Sequence, residues 1–239
     1  MELVTTVTAV PPPRHTVRQF AHWVAGSVAP GVPVLNVGAG ANVSGALRPL
    51  VRREPYLVGV DPDVAIRANG SLAERHRMSL EEFAVANAGR FDVVLSVYVA
   101  EHVTRPAAFA AASARVLRPG GEWFGLTLNV RHYFGAATWA TSRIGASDWL
   151  LRRVAGNRLV HEHHFPPAYR MNSVRALRGL CAQAGFERLD VRCYDATDRY
   201  QWYLPGGTRW FAPAYTRLVY AAGRPGLMGH LTFRARLPA

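Results

Sequence analysis

Several stretches of this chain are apolar almost without interruption: Val34–Val37, Leu57–Val60, Phe91–Val97 and Glu122–Leu128. Short runs of this kind, rich in Val and Leu, predict strands covered on both faces, as in a parallel sheet. Elsewhere the period becomes helical. Val17, Phe20, Ala21, Val24, Ala25 and Val28 share one helical face, with Thr16 positioned to cap the helix and Pro30-Gly31 to end it. Val174, Leu177, Leu180, Cys181 and Ala184 share another, started by Asn172 or Ser173 and stopped by Gly185. Further helices are predicted from about Ser44 to Arg53, and from a Thr104 cap, with Pro106 in the first turn, to Leu117. Glu187 to Tyr194 alternates, with Leu189, Val191 and Cys193 on one side, which predicts a strand near a sheet edge. Leu231 to Leu237 reads as a final strand. Met1 to Arg14, with its triple proline, reads as an extended arm.

Composition narrows the class. The chain has 239 residues, 49% of them hydrophobic, enough for one sizeable core and against global disorder. All 28 basic residues are arginine, which reads as the codon bias of a GC-rich genome. The formal charge of +12 favours acidic partners, but the arginines are scattered in runs no longer than two. Scattered charge is a solvated surface more often than a nucleic-acid site. Cys181 and Cys193 form no C-x-x-C and read as free thiols of a reducing cytoplasm. No secretory signal is apparent, and no stretch approaches the ~18 apolar residues that span a bilayer.

The chemistry starts at the turn after the first apolar run. Gly38 and Gly40 let backbone approach a ligand, Ala39 lies between them, and a following helix cap at Asn42 or Ser44 favours an anionic end. A dinucleotide fingerprint would need a third glycine, and Val43 stands there. The alternative is S-adenosylmethionine, whose ribose would be held by the acid ending the second strand, Asp61. Asp63 is a competing carboxylate, but Asp61 directly ends the apolar run. An ordinary strand-to-helix turn looks the same in isolation, so the later segments decide.

Those segments are VLNVGAG, YLVGVDPD, FDVVLSVYVAEHV and RVLRPGGEWFGLTLN, in that order. Together they make the chain resemble the class I S-adenosylmethionine-dependent methyltransferases, in particular the bacterial small-molecule enzymes often called type 11, over about Pro30 to Asp195. The resemblance implies an α/β fold. Its Rossmann-like, seven-stranded, mostly parallel sheet has an antiparallel last strand and helices on both faces. It implies one domain over 1–239: an arm and covering helix at 1–29, a cofactor core at 30–128, a substrate-pocket insertion at 129–170, and a C-terminal helix, edge strands and aromatic insertion at 171–239. It places S-adenosylmethionine on Asn36, Gly38, Ala39, Gly40 and Asp61, with Pro62 against the adenine, backbone near Ser79 and Leu80 at its edge, and Ser96 beside the methyl. A third strand is expected within Asn69–Phe83. Asn36 departs from the acid usual in the family, bringing a hydrogen bond without the charge.

Candidates for the acceptor side follow. His102 is the candidate base, since an imidazole titrates near neutrality, and Glu101 would orient it or contact the cofactor; both equally suit a helix cap. Tyr98, His132, Tyr133, His163, Tyr169 and Arg170 are expected to line a small-molecule pocket. The run His161–His164 suggests a metal at first sight, but adjacent residues of an extended segment point apart, so no metal is expected. The insertion Ala196–Met228 is rich in aromatics and arginines; a helix over Phe211–Ala222 would put Phe211, Tyr215, Leu218 and Ala222 on one face. That stripe either packs on the sheet or forms a lid or membrane-contact patch. Two other classes stay open: a fold that binds the cofactor without transfer, and a cationic membrane or nucleic-acid binding protein.

Overall fold

The apolar runs become the middle of an eight-stranded sheet. The computed structural model describes residues 2–42, 45–143, 168–196, 201, 204 and 206–239. Its strands are β1 (Val4–Ala9), β2 (Pro33–Val37), β3 (Tyr56–Val60), β4 (Glu74–His76), β5 (Phe91–Val97), β6 (Leu117–Leu128), β7 (Arg188–Tyr194) and β8 (His230–Arg236). They lie in the order β1-β7-β8-β6-β5-β2-β3-β4. All pairings are parallel except those of β8, which runs antiparallel to β6 and β7. This is the Rossmann-like sheet that the sequence implied, with one strand more.

The additional strand is β1, in the segment expected to be an arm. It pairs with β7 from Val4↔Arg188 to Ala9↔Cys193. Its run of Val and Thr suits a pleated surface. As an edge strand it leaves Val4 62% exposed, so it shows no apolar run to detect. The third strand expected within Asn69–Phe83 is β4, followed by α3 (Leu80–Ala86).

The helices α1 (Thr16–Ser27) and α2 (Arg48–Val51) cover one face, whose core includes Phe20, Val24, Leu50, Ile66 and Phe124. Helices α3, α4 (Pro106–Val116) and α6 (Val174–Gln183) cover the other. There Trp123 packs against Phe109, Phe186 and Phe233 at 5.8, 6.0 and 4.9 Å between ring centroids. Burying each such side chain contributes about 1.5–3 kcal/mol. The remaining helices are α5 (Tyr133–Arg143) and α7 (Phe211–Ala221).

Helix ends differ from the sequence reading in detail. Thr16 is the first residue of α1 and His15 its cap. Arg105, not Thr104, precedes α4. The predicted Ser44–Arg53 helix is reduced to α2, with Ser44 outside the described residues. Ser173 does cap α6, accepting from the Ala176 amide at 3.2 Å. Cys181 and Cys193 are buried free thiols, and burial pushes both up to about 12, so neither is reactive near neutral pH. No helix among the described residues is long and apolar enough to cross a membrane.

Candidate active site

The parallel pairing brings the carboxyl ends of β2, β3 and β5 side by side, the edge at which open α/β sheets bind ligands. At the end of β2 the chain turns through Gly38 and Gly40, with φ of +67° and +45°. Both are left-handed values that only glycine adopts freely. A Cβ on Gly38 would lie 2.3 Å from Cγ2 of Val99, whereas a Cβ on Gly40 would meet nothing within 4 Å. The first glycine admits the neighbouring loop; the second faces open space. Gly38→Ala is therefore expected to cost about 1–2 kcal/mol for backbone strain alone. Thermal unfolding measures it: a larger loss would show that the contact with Val99 adds to the strain, and an unchanged midpoint would contradict the strain argument.

Asp61 closes this cradle. It is buried, its Oδ2 accepts from the Gly40 amide at 2.9 Å and its Oδ1 from the Asp63 amide at 2.7 Å. Each carboxylate oxygen has a second lone pair, so two further donors can be accepted. Asp63 is otherwise employed, capping the 3-10 turn Val64–Ala68 by accepting from the Ala65 amide at 2.8 Å. Buried Asn69 donates to the carbonyls of Ala39 and Gly40, at 3.0 Å each, and its Oδ1 accepts from the Ser71 hydroxyl at 2.6 Å. Nothing in the pattern of the sequence marked Asn69, because a lone asparagine in an irregular stretch carries no periodic signal. Asn36 is 3% exposed in the last part of β2. Pro62 is exposed beside Asp61, and its carbonyl accepts from Arg77 at 3.3 Å.

Three residues expected near the cofactor have their side chains engaged within the fold. Ser79 caps α3 in a reciprocal box: its amide and hydroxyl both donate to Glu82, at 2.8 and 2.7 Å. Its own amide is thus engaged, and Leu80, the first residue of α3, has its side chain in the core. Ser96 faces inward, its hydroxyl accepting from the Trp123 indole at 3.2 Å. Side chains alternate along β5, so a residue whose neighbour Val94 enters the core under α4 cannot also send its side chain to the opposite face.

Facing the glycine turn is the loop after β5. Tyr98 has φ of +55°, uncommon for a bulky residue and typical of functional sites. Val99 fills the space above Gly38, and the His102 amide donates to the Val99 carbonyl at 2.9 Å. His102 is half-buried with its Nδ1 turned inward.

Glu101 is buried. Its Oε1 accepts from the Leu128 amide at 2.9 Å, and its carbonyl accepts from the amides of Ala168 and Tyr169 at 2.6 and 3.0 Å. Burial raises its pKa to about 7, opposed by the hydrogen bonds it accepts. Glu101 thereby joins the β5 loop to the end of β6 and to the chain entering α6. Two buried asparagines complete that lacing. Asn172 donates to Thr127 at 2.6 Å, and Asn129 donates to the carbonyls of Gly226 and Met228 at 2.9 and 2.8 Å.

The acceptor-side candidates separate. Tyr98 lies near His230, which stacks on Tyr194 at 5.0 Å and 6°. Register places His230 opposite both Leu128 and Tyr194, at the same edge of the sheet. Tyr194 and His230 were missed because the alternation that marks a strand says nothing of which end carries the site. Tyr169 accepts from the Thr138 hydroxyl at 3.2 Å, and burial raises its pKa, with the nearby Glu101 charge adding to the effect.

His132 is 1% exposed; its Nδ1 accepts from the Phe134 amide at 3.3 Å and its Nε2 lies 3.3 Å from Oδ1 of buried Asp195. This places it inside a buried pair rather than on a pocket wall. Tyr133 packs on Phe211 and Tyr215, and its pKa is raised by burial and by the Asp195 charge. Arg170 turns outward, donating to the Thr104 carbonyl at 2.9 Å, and lines an open groove with Ser173 and Arg175. It does not join Tyr98 and His230. His163 and the rest of His161–His164 lie outside the described residues, as do Phe165 and Pro166.

The sequence model of a family described as methyltransferase domain matches residues 9–191. The chain belongs to that family. Its fold is that of the class I S-adenosylmethionine-dependent methyltransferases. A ubiquinone biosynthesis O-methyltransferase of Hahella chejuensis is 36% identical over 108 residues, 42% of this chain and 44% of that one. One of Sodalis glossinidius is 35% identical over 133 residues, 52% and 50% of the two chains. The methyltransferase thus matches about half the length of these curated relatives. Among solved structures, an S-adenosylmethionine-dependent methyltransferase of Archaeoglobus fulgidus superposes with a TM-score of 0.59 at 13% identity, over 92% of each chain. That likeness shows the fold.

The cleft of this methyltransferase fits the cofactor. The space in front of Gly40, the spare acceptor capacity of Asp61 and the exposed ring of Pro62 lie along one edge. When bound there, S-adenosylmethionine supplies an electrophilic methyl group that needs no activation by the protein.

Proposed function

We propose that this methyltransferase places the methyl group on an oxygen of a small, apolar or lipid-linked acceptor. The observation that carries this reading is the contact of Val99 with Gly38, which seats the loop holding Tyr98 and His102 directly over the glycine turn. The O-methyltransferase names of the curated relatives support oxygen as the accepting atom.

In this reading Asp61 accepts from the ribose hydroxyls, Asn36 and the Gly38–Gly40 backbone hold the amino-acid end, and Pro62 and the Leu80 backbone meet the adenine. Tyr98, Tyr133 and Tyr169 position the acceptor, and His102 takes the proton from its hydroxyl as the oxygen gains the methyl group. Glu101 is a positioning residue that fixes the loop. Residues 1–239 act as one unit, with 129–170 on the acceptor side, and the two free thiols support a reducing cytoplasm as the setting.

Replacing Asp61 with alanine is expected to weaken S-adenosylhomocysteine binding roughly 10- to 150-fold, the equivalent of about 1.5–3 kcal/mol for a charge-assisted contact. Calorimetry decides, and an unchanged affinity removes Asp61 from the site. Asn36 motivates a second reading, cofactor binding without transfer; tight binding with no methylated product from any phenolic acceptor would favour it.

A further inference from the structure

The one-face stripe expected for α7 divides in the structure. Ala212 and Val219 are buried and Tyr215 packs against the core, while Leu218 is 67% exposed and Phe211, 39% exposed, rests one side on Tyr133 and Tyr215. The polar anchors of α7 all lie on the inner side. Thr216 donates to Asp195 at 2.7 Å, Tyr220 to the Val10 carbonyl at 2.8 Å, and Tyr215 to the Leu227 carbonyl at 2.8 Å. At helical spacing Phe211, Ala214, Leu218 and Ala221 therefore form an outer apolar face. Trp210, 68% exposed, extends it at the helix start, and Leu227, 36% exposed, lies beside the anchor of Tyr215.

The exposed charges carried by α7 and its flanking residues 206–224 are all positive. Arg209, Arg217 and Arg224 are exposed around it, and no aspartate or glutamate follows Asp198 in the chain. Tryptophan and arginine combine an apolar body with a polar tip, which suits the boundary between water and lipid. A second copy of the chain is a poor occupant: a two-fold contact through this face would bring two groups of like charge together. The face also connects to the acceptor side, because Asp195, which holds Thr216, sits 3.3 Å from His132, and Phe211 and Tyr215 pack on Tyr133.

We propose that the outer face of α7 docks on an anionic phospholipid surface, from which a lipid-borne acceptor reaches the site. The proposal rests on the apolar or lipid-linked acceptor inferred above. The test is co-sedimentation of the whole protein with phosphatidylglycerol vesicles at low salt, with phosphatidylcholine vesicles as the neutral comparison. A variant carrying Trp210→Ser and Leu218→Asn changes only exposed side chains, and circular dichroism checks that it folds. The intact protein is expected to sediment with the anionic vesicles only, and the variant to bind at least about tenfold more weakly. Three results overturn the proposal: no sedimentation of the intact protein, equal sedimentation of the variant, or a dimer in solution that the double substitution dissociates. The assay contains no methyl donor or acceptor, so its failure leaves the methyl-transfer reading standing.

Discussion

His102→Gln is expected to lower methyl transfer to a phenolic acceptor roughly 10²–10⁴-fold while leaving S-adenosylhomocysteine affinity within about twofold of wild type. Glutamine approximates the imidazole in size and polarity but cannot accept the proton. The cleft side of the site, Gly38 to Gly40 with Asp61, does not involve the His102 side chain, so binding has no reason to change. The wild-type rate should rise through neutral pH as a base loses its proton, and the variant's should not. Turnover that stays intact in the variant, with the same pH profile, returns His102 to the role of a residue that only shapes the turn before α4.

Glu101→Gln is expected to change the pH dependence of stability. The Glu101 carboxyl has a folded pKa of about 7 against an ordinary 4.5, because burial disfavours its charge. At low pH, below the ordinary value, both folded and unfolded chains carry the proton. As pH rises toward 7 the unfolded chain releases it first, so stability falls, and the loss levels off above 7 at about 3 kcal/mol. Glutamine keeps an oxygen for the Leu128 amide and does not titrate. The variant should therefore gain on wild type by about 3 kcal/mol between about pH 4 and about pH 8 in denaturant unfolding. A difference between the two proteins that does not vary with pH would mean that Glu101 ionises freely in the folded state. If the variant instead loses stability at every pH, the amide fits this site less well than the carboxyl group in either of its forms.

The parts of the fold legible in the sequence were those with a periodic signal. The buried strands β2, β3, β5 and β6 are apolar on both faces, and α1 and α6 carry clean helical stripes. The glycine turn and Asp61 were legible because the strand ends fix where a ligand can sit. What was hidden depends on long-range contacts. β1 is recognisable only by its pairing with β7, far along the chain. The α7 stripe left two readings open, and the helix divides it: Tyr215 packs against the core with Ala212 and Val219 beside it, while Leu218 faces out. Asn69, Asn129, Asn172 and Asp195 are isolated polar residues whose burial no local pattern announces. Ser96 lies one residue before the end of β5, and the alternation of the pleat, which the apolar run conceals, turns its side chain toward Trp123.

The most direct test of the cofactor cleft is hydrogen exchange on the intact protein with and without saturating S-adenosylhomocysteine. The account predicts slowed exchange confined to the glycine turn at 36–42, the end of β3 at 61–63 and the approach to α3 at 77–80, with Asp61→Ala losing the effect at the same ligand concentration. Saturable binding that protects none of these segments, or no binding at all, would contradict it.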